Sequence, residues 1–289
     1  MAPAPSPSTR LFVIRARAAP RAVIFRRGPT NQVLLLSWRM DTDVFEEGQW
    51  LKGRLYERRS DLSPSGNHLV YFAAKHKTPL KTWTAVSRPP WLTAVALWPK
   101  GDTWGGGGLW EGDDRLQLNH SPSHTKLAEG IALPKRVVIS GIPPLKYAGL
   151  EDPLWQVRLA RDGWTCTSRG EAAVQGLDAP VWITFDPPMV WEKPRPRHAK
   201  SCLRMIVRGV RELNGPWYVT DHEVDTSAGT LSLPDTSWAD WDTNGDLLYA
   251  RDGGLFRFAL GKQKTARQLI DLSPLRFEQR VAPAWAQRW

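Results

Sequence analysis

Proline and glycine interrupt this chain every few residues, and that punctuation constrains its fold more than any other feature. The 24 prolines and 23 glycines among 289 residues are spread along the sequence and not pooled in one tract, so the elements between them must be short. Between the breaks the pattern runs with a period of two. LFVIRARA gives way to alternating apolar and polar positions, and RAVIF, VLLLSW, HLVYFAAK, TAVALW, WQVRLAR, WYVTD and LLYARDGGLFRFAL repeat the style. These read as strands. The best helical candidate is HSPSHTKLAEGIALP, where Ser121 or Ser123 would cap a short turn and Pro134 would stop it. The 16 tryptophans suit sheets packed on sheets or aromatic binding platforms, because a large stiff ring is at home in strands.

A chain of this length accommodates two ordinary domains or one large all-β domain, and residues 11–289 are read as a single domain behind a Pro/Ser arm at 1–10. A hydrophobic share of 42% with 24% charged residues excludes wholesale disorder. The apolar run Leu11–Ile14 is broken by Arg15 and Arg17, too short for a signal-peptide core, and no run nears the roughly 18 apolar residues of a membrane span. Cys166 and Cys202 have no second thiol at metal-ligand spacing. A cytoplasmic protein without metal, cofactor or membrane contact is the expectation. The net charge of +10 draws acidic or polyanionic partners, nucleic acid among them.

The sequence also resembles itself. DLSPSGNHLVY, from Asp61 to Tyr71, and DWDTNGDLLY, from Asp240 to Tyr249, each place Gly five residues after Asp and then a Leu-rich strand ending in Tyr. LWPKG, from Leu97 to Gly101, repeats the Leu-x-Pro-x-Gly spacing of Leu62 to Gly66. Proline sets the first angle of such a turn and glycine accepts the positive dihedral of a tight hairpin. Turns placed at Gly28, Gly66, Gly101, Gly163, Gly215 and Gly245 lie 38, 35, 62, 52 and 30 residues apart, around the roughly 40–50 residues of a propeller blade. DLSPSGNHLVYFA resembles the turn of TolB-type and WD-repeat-like β-propellers, although Ser65 stands where Asp is usual and no Trp-Asp pair closes each blade. The resemblance implies an all-β propeller of five or six four-stranded blades, with the strand Leu11–Arg17 completing the last blade beside the C-terminal strands. It implies no activity.

Candidate sites follow from residue chemistry. Gly105 to Gly108 lack the following Lys, Ser or Thr and helix that a phosphate loop needs, so their use is read as a sharp turn or close backbone approach. The flanking Trp104 and Trp110 either fill a core or form a recognition patch. His120 and His124 would share a face for a metal on a helical turn, but Pro122 and the missing third ligand favour a polar loop. In DHEVD, alternation puts Asp221, Glu223 and Asp225 opposite His222, so a solvated edge is expected over acid–base chemistry. WEKPRPRHAK reads as an extended basic loop in which Trp191, Arg195 and Arg197 face a partner. No Gly-x-Ser-x-Gly elbow appears, which leans away from an enzyme. The leading expectation is a docking protein whose partner is another protein, engaged through Trp104, Trp110, Trp191, Arg195 and Arg197. The alternatives are a carbohydrate-binding or carbohydrate-hydrolysing protein and a nucleic-acid-binding accessory protein using the basic loops.

Overall fold

The structure is a computed structural model of the chain in which residues 9–28, 31–142, 153–176, 178–198, 200–213, 215–227, 229–263 and 265–289 are described. Most of the arm at 1–10 lies outside the described residues. The chain divides into two compact units, one of Phe12–Arg158 with Arg276–Trp289, the other of Met1–Leu11 with Leu159–Leu275.

The first unit is built from three sheets. Strands β1 (Arg10–Arg15), β2 (Arg21–Arg27), β3 (Gln32–Arg39) and β4 (Val44–Lys52) form one meander, and β5 (Arg54–Leu62), β6 (Leu69–Ala74), β7 (Thr82–Ser87) and β8 (Ala94–Pro99) form a second. Strands β9 (Gly108–Trp110), β10 (Arg115–Leu118) and β11 (Val138–Gly141) make the third, in which β10 runs antiparallel to β9 and parallel to β11. The β5–β8 sheet is the middle layer. From β6, Leu69, Tyr71 and Ala73 join Val23, Phe25 and Leu35 in one core, while Val70 joins Trp98, Trp110, Leu116 and Leu118 in another. A strand buried on both faces loses its polar alternation, which is why LVYFAA is apolar throughout.

Helix α1 (Pro153–Arg161) follows. WQVRLAR is therefore helical and not a strand. Leu154, Trp155, Arg158 and Leu159 are buried, at the three- and four-residue spacings of a helix face, and Gly163 stops it with a φ of 90°.

The second unit carries a six-stranded sheet and a four-stranded meander. In the former β14 (Val181–Pro194), β15 (Cys202–Glu212), β16 (Tyr218–Thr226) and β17 (Gly229–Leu233) pair in order, and β12 (Thr165–Arg169) and β13 (Ala172–Val174) both pair with β14. The meander is β18 (Thr236–Trp241), β19 (Leu247–Arg251), β20 (Gly254–Phe258) and β21 (Arg267–Asp271). Cys166 and Cys202 are both free thiols.

The all-β reading stands, but the propeller of five or six blades does not. The five sheets hold between three and six strands, one contains a parallel pair, and among the described residues they close no ring or barrel. Nor does the N-terminal strand complete a last sheet. β1 starts the first meander beside β2, and the Leu11 backbone bonds to the hydroxyl of the β18 residue Ser237 without a strand pairing between β1 and β18. The reason lies in the turns. Gly66 and Gly245 do sit in equivalent hairpins, each joining the first two strands of a four-stranded meander, with Gly66 N–H donating to Ser63 O and Gly245 N–H to Asp242 O. Gly101, by contrast, begins a loop after β8, and Gly163 ends α1. Proline–glycine corners thus serve several kinds of junction, and their spacing does not count blades.

Candidate functional site

The loop from Lys100 to Gly107 connects β8 to β9, and its backbone is fastened on every side. Lys100 N–H donates to Thr82 O at 3.0 Å, and the Thr82 hydroxyl donates to Asp102 O at 2.5 Å. The Lys100 ammonium lies 3.1 Å from the Asp102 carboxylate, which also accepts the Trp104 N–H at 2.9 Å. Burial would raise the Asp102 pKa, but the Lys100 and Trp104 hydrogen bonds outweigh it and hold the carboxyl below its ordinary value. Arg59 stacks over Tyr56 and Phe72 and donates to Thr103 O at 2.8 Å and Gly105 O at 2.7 Å.

The glycines complete the fastening. Gly106 N–H donates to Asn119 O at 2.7 Å and Gly107 N–H to Thr84 Oγ1 at 2.8 Å. Those donors are spent inside the protein and unavailable to a phosphate. A Cβ on Gly106 would lie 2.4 Å from the Phe72 ring and one on Gly107 only 1.8 Å from Arg59 O, so the run is glycine because backbone and ring approach too closely for any side chain.

His120 belongs to this framework. Thr84 Oγ1 accepts from Gly107, so its own hydrogen goes to His120 Nε2 at 2.7 Å, and His120 Nδ1–H donates to His124 O at 2.6 Å. Both ring nitrogens are engaged. Burial lowers the His120 pKa to about 4, and the neutral ring is the form this chain of hydrogen bonds requires. His124 ends a short 3-10 turn, Pro122–His124, that His120 precedes and ties through its hydrogen bond to His124 O, and no metal-binding group of His, Cys, Asp and Glu occurs among the described residues.

From this fastened loop Trp104 projects with 85% of its surface exposed. The β6–β7 hairpin, KHKTPLK at 75–81, runs into Thr82, to which this loop is bonded, and its Lys75, His76, Lys77 and Lys81 are all exposed.

The other predicted contact residues are placed differently. Trp110 is 0% exposed, at the heart of a core, with its backbone N–H donating to the buried Asp61 carboxylate at 2.8 Å. Trp191 is 4% exposed on β14, its indole N–H directed at Met189 Sδ. β9 is buried at all three of its residues, and alternation along β14 turns Trp191 inward, which corrects the reading of both rings as surface contacts. Arg195 is a fastener as well, since its guanidinium donates to Gly245 O at 2.6 Å and Leu260 O at 3.2 Å. Arg197 is exposed, in a turn with a φ of 61°, but belongs to the other unit from Trp104.

DHEVD keeps the predicted faces and not the predicted edge. β16 is paired on both sides, by β15 and β17. On one face Glu223, Asp225 and Glu192 of β14 surround Arg204, and Asp221 pairs with Arg208. On the other, buried His222 donates from Nδ1 to Thr236 Oγ1 at 2.9 Å, and that hydroxyl donates to Leu233 O. The carboxylates on this face are engaged with Arg204 and Arg208.

Reading the sequence missed the fastening of the Trp104 loop and the lysine hairpin that runs into Thr82. The signals were present: Asp102, two residues before Trp104, is the residue type that accepts a backbone N–H two positions on, and four of the seven residues in KHKTPLK are lysine or histidine. Fold and site together define an all-β protein of two units that displays an indole on a rigid loop. The chain matches none of the protein-family models and none of the curated proteins with which it was compared. No helix among the described residues is long and apolar enough to cross a membrane.

Proposed function

We propose that this protein docks another protein, with Trp104 as the anchor of its binding surface. The exposure of Trp104 on a hydrogen-bonded loop carries the reading. An indole left in water gains apolar burial when a partner covers it, and a loop already fixed loses little conformational freedom on binding. Trp is also the residue type most enriched among side chains that dominate interface energies. Trp110, Trp191 and Arg195 support the fold and drop out of the binding surface.

The test is quantitative affinity capture with the full chain and with Trp104→Ala. Loss of a retained protein in the variant, at an unchanged melting temperature, is the expected result. Identical retention by the two chains would sink the reading. Trp110→Ala belongs in the same experiment as a contrast, since it acts through the core and is expected to lower the melting temperature.

A further inference from the structure

We infer that the segment held by the Trp104 loop is an acidic stretch of protein carrying an apolar side chain, an inference that rests on the docking function proposed above. Charge complementarity is the argument. Lys75 and His76 N–H both donate to Lys81 O at 3.0 Å, closing the 75–81 hairpin, and the next residue, Thr82, makes the two bonds that anchor Lys100 and Asp102. Lys81 is thus one residue from the attachment of the Trp104 loop. Among the described residues Lys75, Lys77 and Lys81 have no carboxylate partner, whereas Asp102, the one acid of the loop, is neutralised by the buried Lys100. An exposed apolar anchor on a loop attached through Thr82 to a hairpin that carries three uncompensated lysines selects a ligand that covers the ring and brings carboxylates with it.

The same features argue for protein over nucleic acid. Gripping a strand of bases calls for successive open aromatic faces and is favoured by the planar fork of arginine on phosphate. Among the described residues Trp104 is far more open, at 85%, than the other exposed tryptophans, Trp285 and Trp217, and near its loop Tyr56 lies beneath Arg54 and Arg59 and Phe72 beneath Arg59 and Gly106. Lysine ammonium groups on flexible stems suit carboxylates scattered along an extended peptide.

Three probes decide the matter by isothermal titration against the full chain: a peptide of Asp and Glu residues flanking a single Leu, the same peptide with Asn and Gln in place of the acids, and a thymidine oligonucleotide of matched charge. The acidic peptide is expected to bind and the neutral one to bind at least roughly tenfold more weakly. Lys75→Glu, Lys77→Glu and Lys81→Glu combined are expected to abolish binding of the acidic peptide, and Trp104→Ala to weaken it roughly tenfold. Equal binding of the acidic and neutral peptides overturns the inference, and so does tighter binding of the oligonucleotide. The captured protein separates this failure from failure of the docking reading. If Trp104→Ala releases it and the lysine triple variant does not, docking stands and the acidic ligand falls; if neither variant releases it, docking falls as well.

Discussion

Single residues set the limits of the Trp104 loop. Gly107 combines a φ of 80° with an Arg59 carbonyl 1.8 Å from where a Cβ would sit, whereas Gly101 has a φ of 92° and nothing within 4 Å. Gly107→Ala should therefore cost about 3 kcal/mol or more and Gly101→Ala only about 1 kcal/mol, as read from urea denaturation. Equal costs would mean that the close approach is not maintained. His120 and His68 give the unit an acid sensitivity. Burial pushes both pKa values from 6.5 to about 4, for His68 with help from Arg88 and Arg136 against Asp113, and for His120 with help from Lys100. Below pH 6.5 the unfolded chain takes up protons that the folded imidazoles refuse. Stability should fall as the pH drops from 6.5 to about 4 and stop responding to these two groups below that. In His120→Gln the slope over this window should flatten, which melting temperatures at a series of pH values would show.

Between elements, the second unit relies on a charged hub where the first relies on apolar layers. Arg204 of β15 reaches Glu192 on β14 at 2.9 Å, Glu223 on β16 at 3.0 Å, and Asp225 next along β16, so one guanidinium spans three strands. Their hydrogen bonds raise its pKa and lock it charged. Replacing it leaves three carboxylates crowded on one face. Arg204→Ala should lower stability by about 1–2 kcal/mol, with a larger deficit at low salt and a smaller one once the acids are protonated. Indifference to both salt and acid would show that the hub is merely decorative. At this scale much was legible beforehand. Alternation placed His222 opposite Glu223 and Asp225, and the Asp-to-Gly spacing in DLSPSG and DWDTNG picked out two equivalent hairpins. Helix α1 was not legible, because its WQVRLAR core is too short to separate a period of 3.6 from a period of 2, and tertiary burial of Trp155, Arg158 and Leu159 decides it.

In the whole molecule, the chain leaves the first unit after Arg158 and returns to it at Arg276. The returning segment packs Phe277 against Trp50 at 5.9 Å, pairs Arg280 with Glu47 at 3.0 Å, and sets the Trp289 ring 5.1 Å from His68 while its N–H donates to Val95 O. Deleting 276–289 should lower the melting temperature by roughly 5 °C or more, given the aromatic surface uncovered. Hydrogen exchange should quicken in β4 and β8 and stay unchanged in β19 and β20. A uniform change across both units would contradict the contact pattern.

By itself the sequence determined where many of the strands and turns lie, because alternation along a strand and the angles open to proline and glycine are properties of a few neighbouring residues. It could not determine how many sheets form, whether they close, or which tryptophans remain in water. Trp104 and Trp110 flank the same four glycines, yet one is open to solvent and the other sealed. That difference depends on what distant strands bring to each face, through the core of Val70, Trp98, Leu116 and Leu118 that seals Trp110 and the Arg59 guanidinium that fixes the loop bearing Trp104.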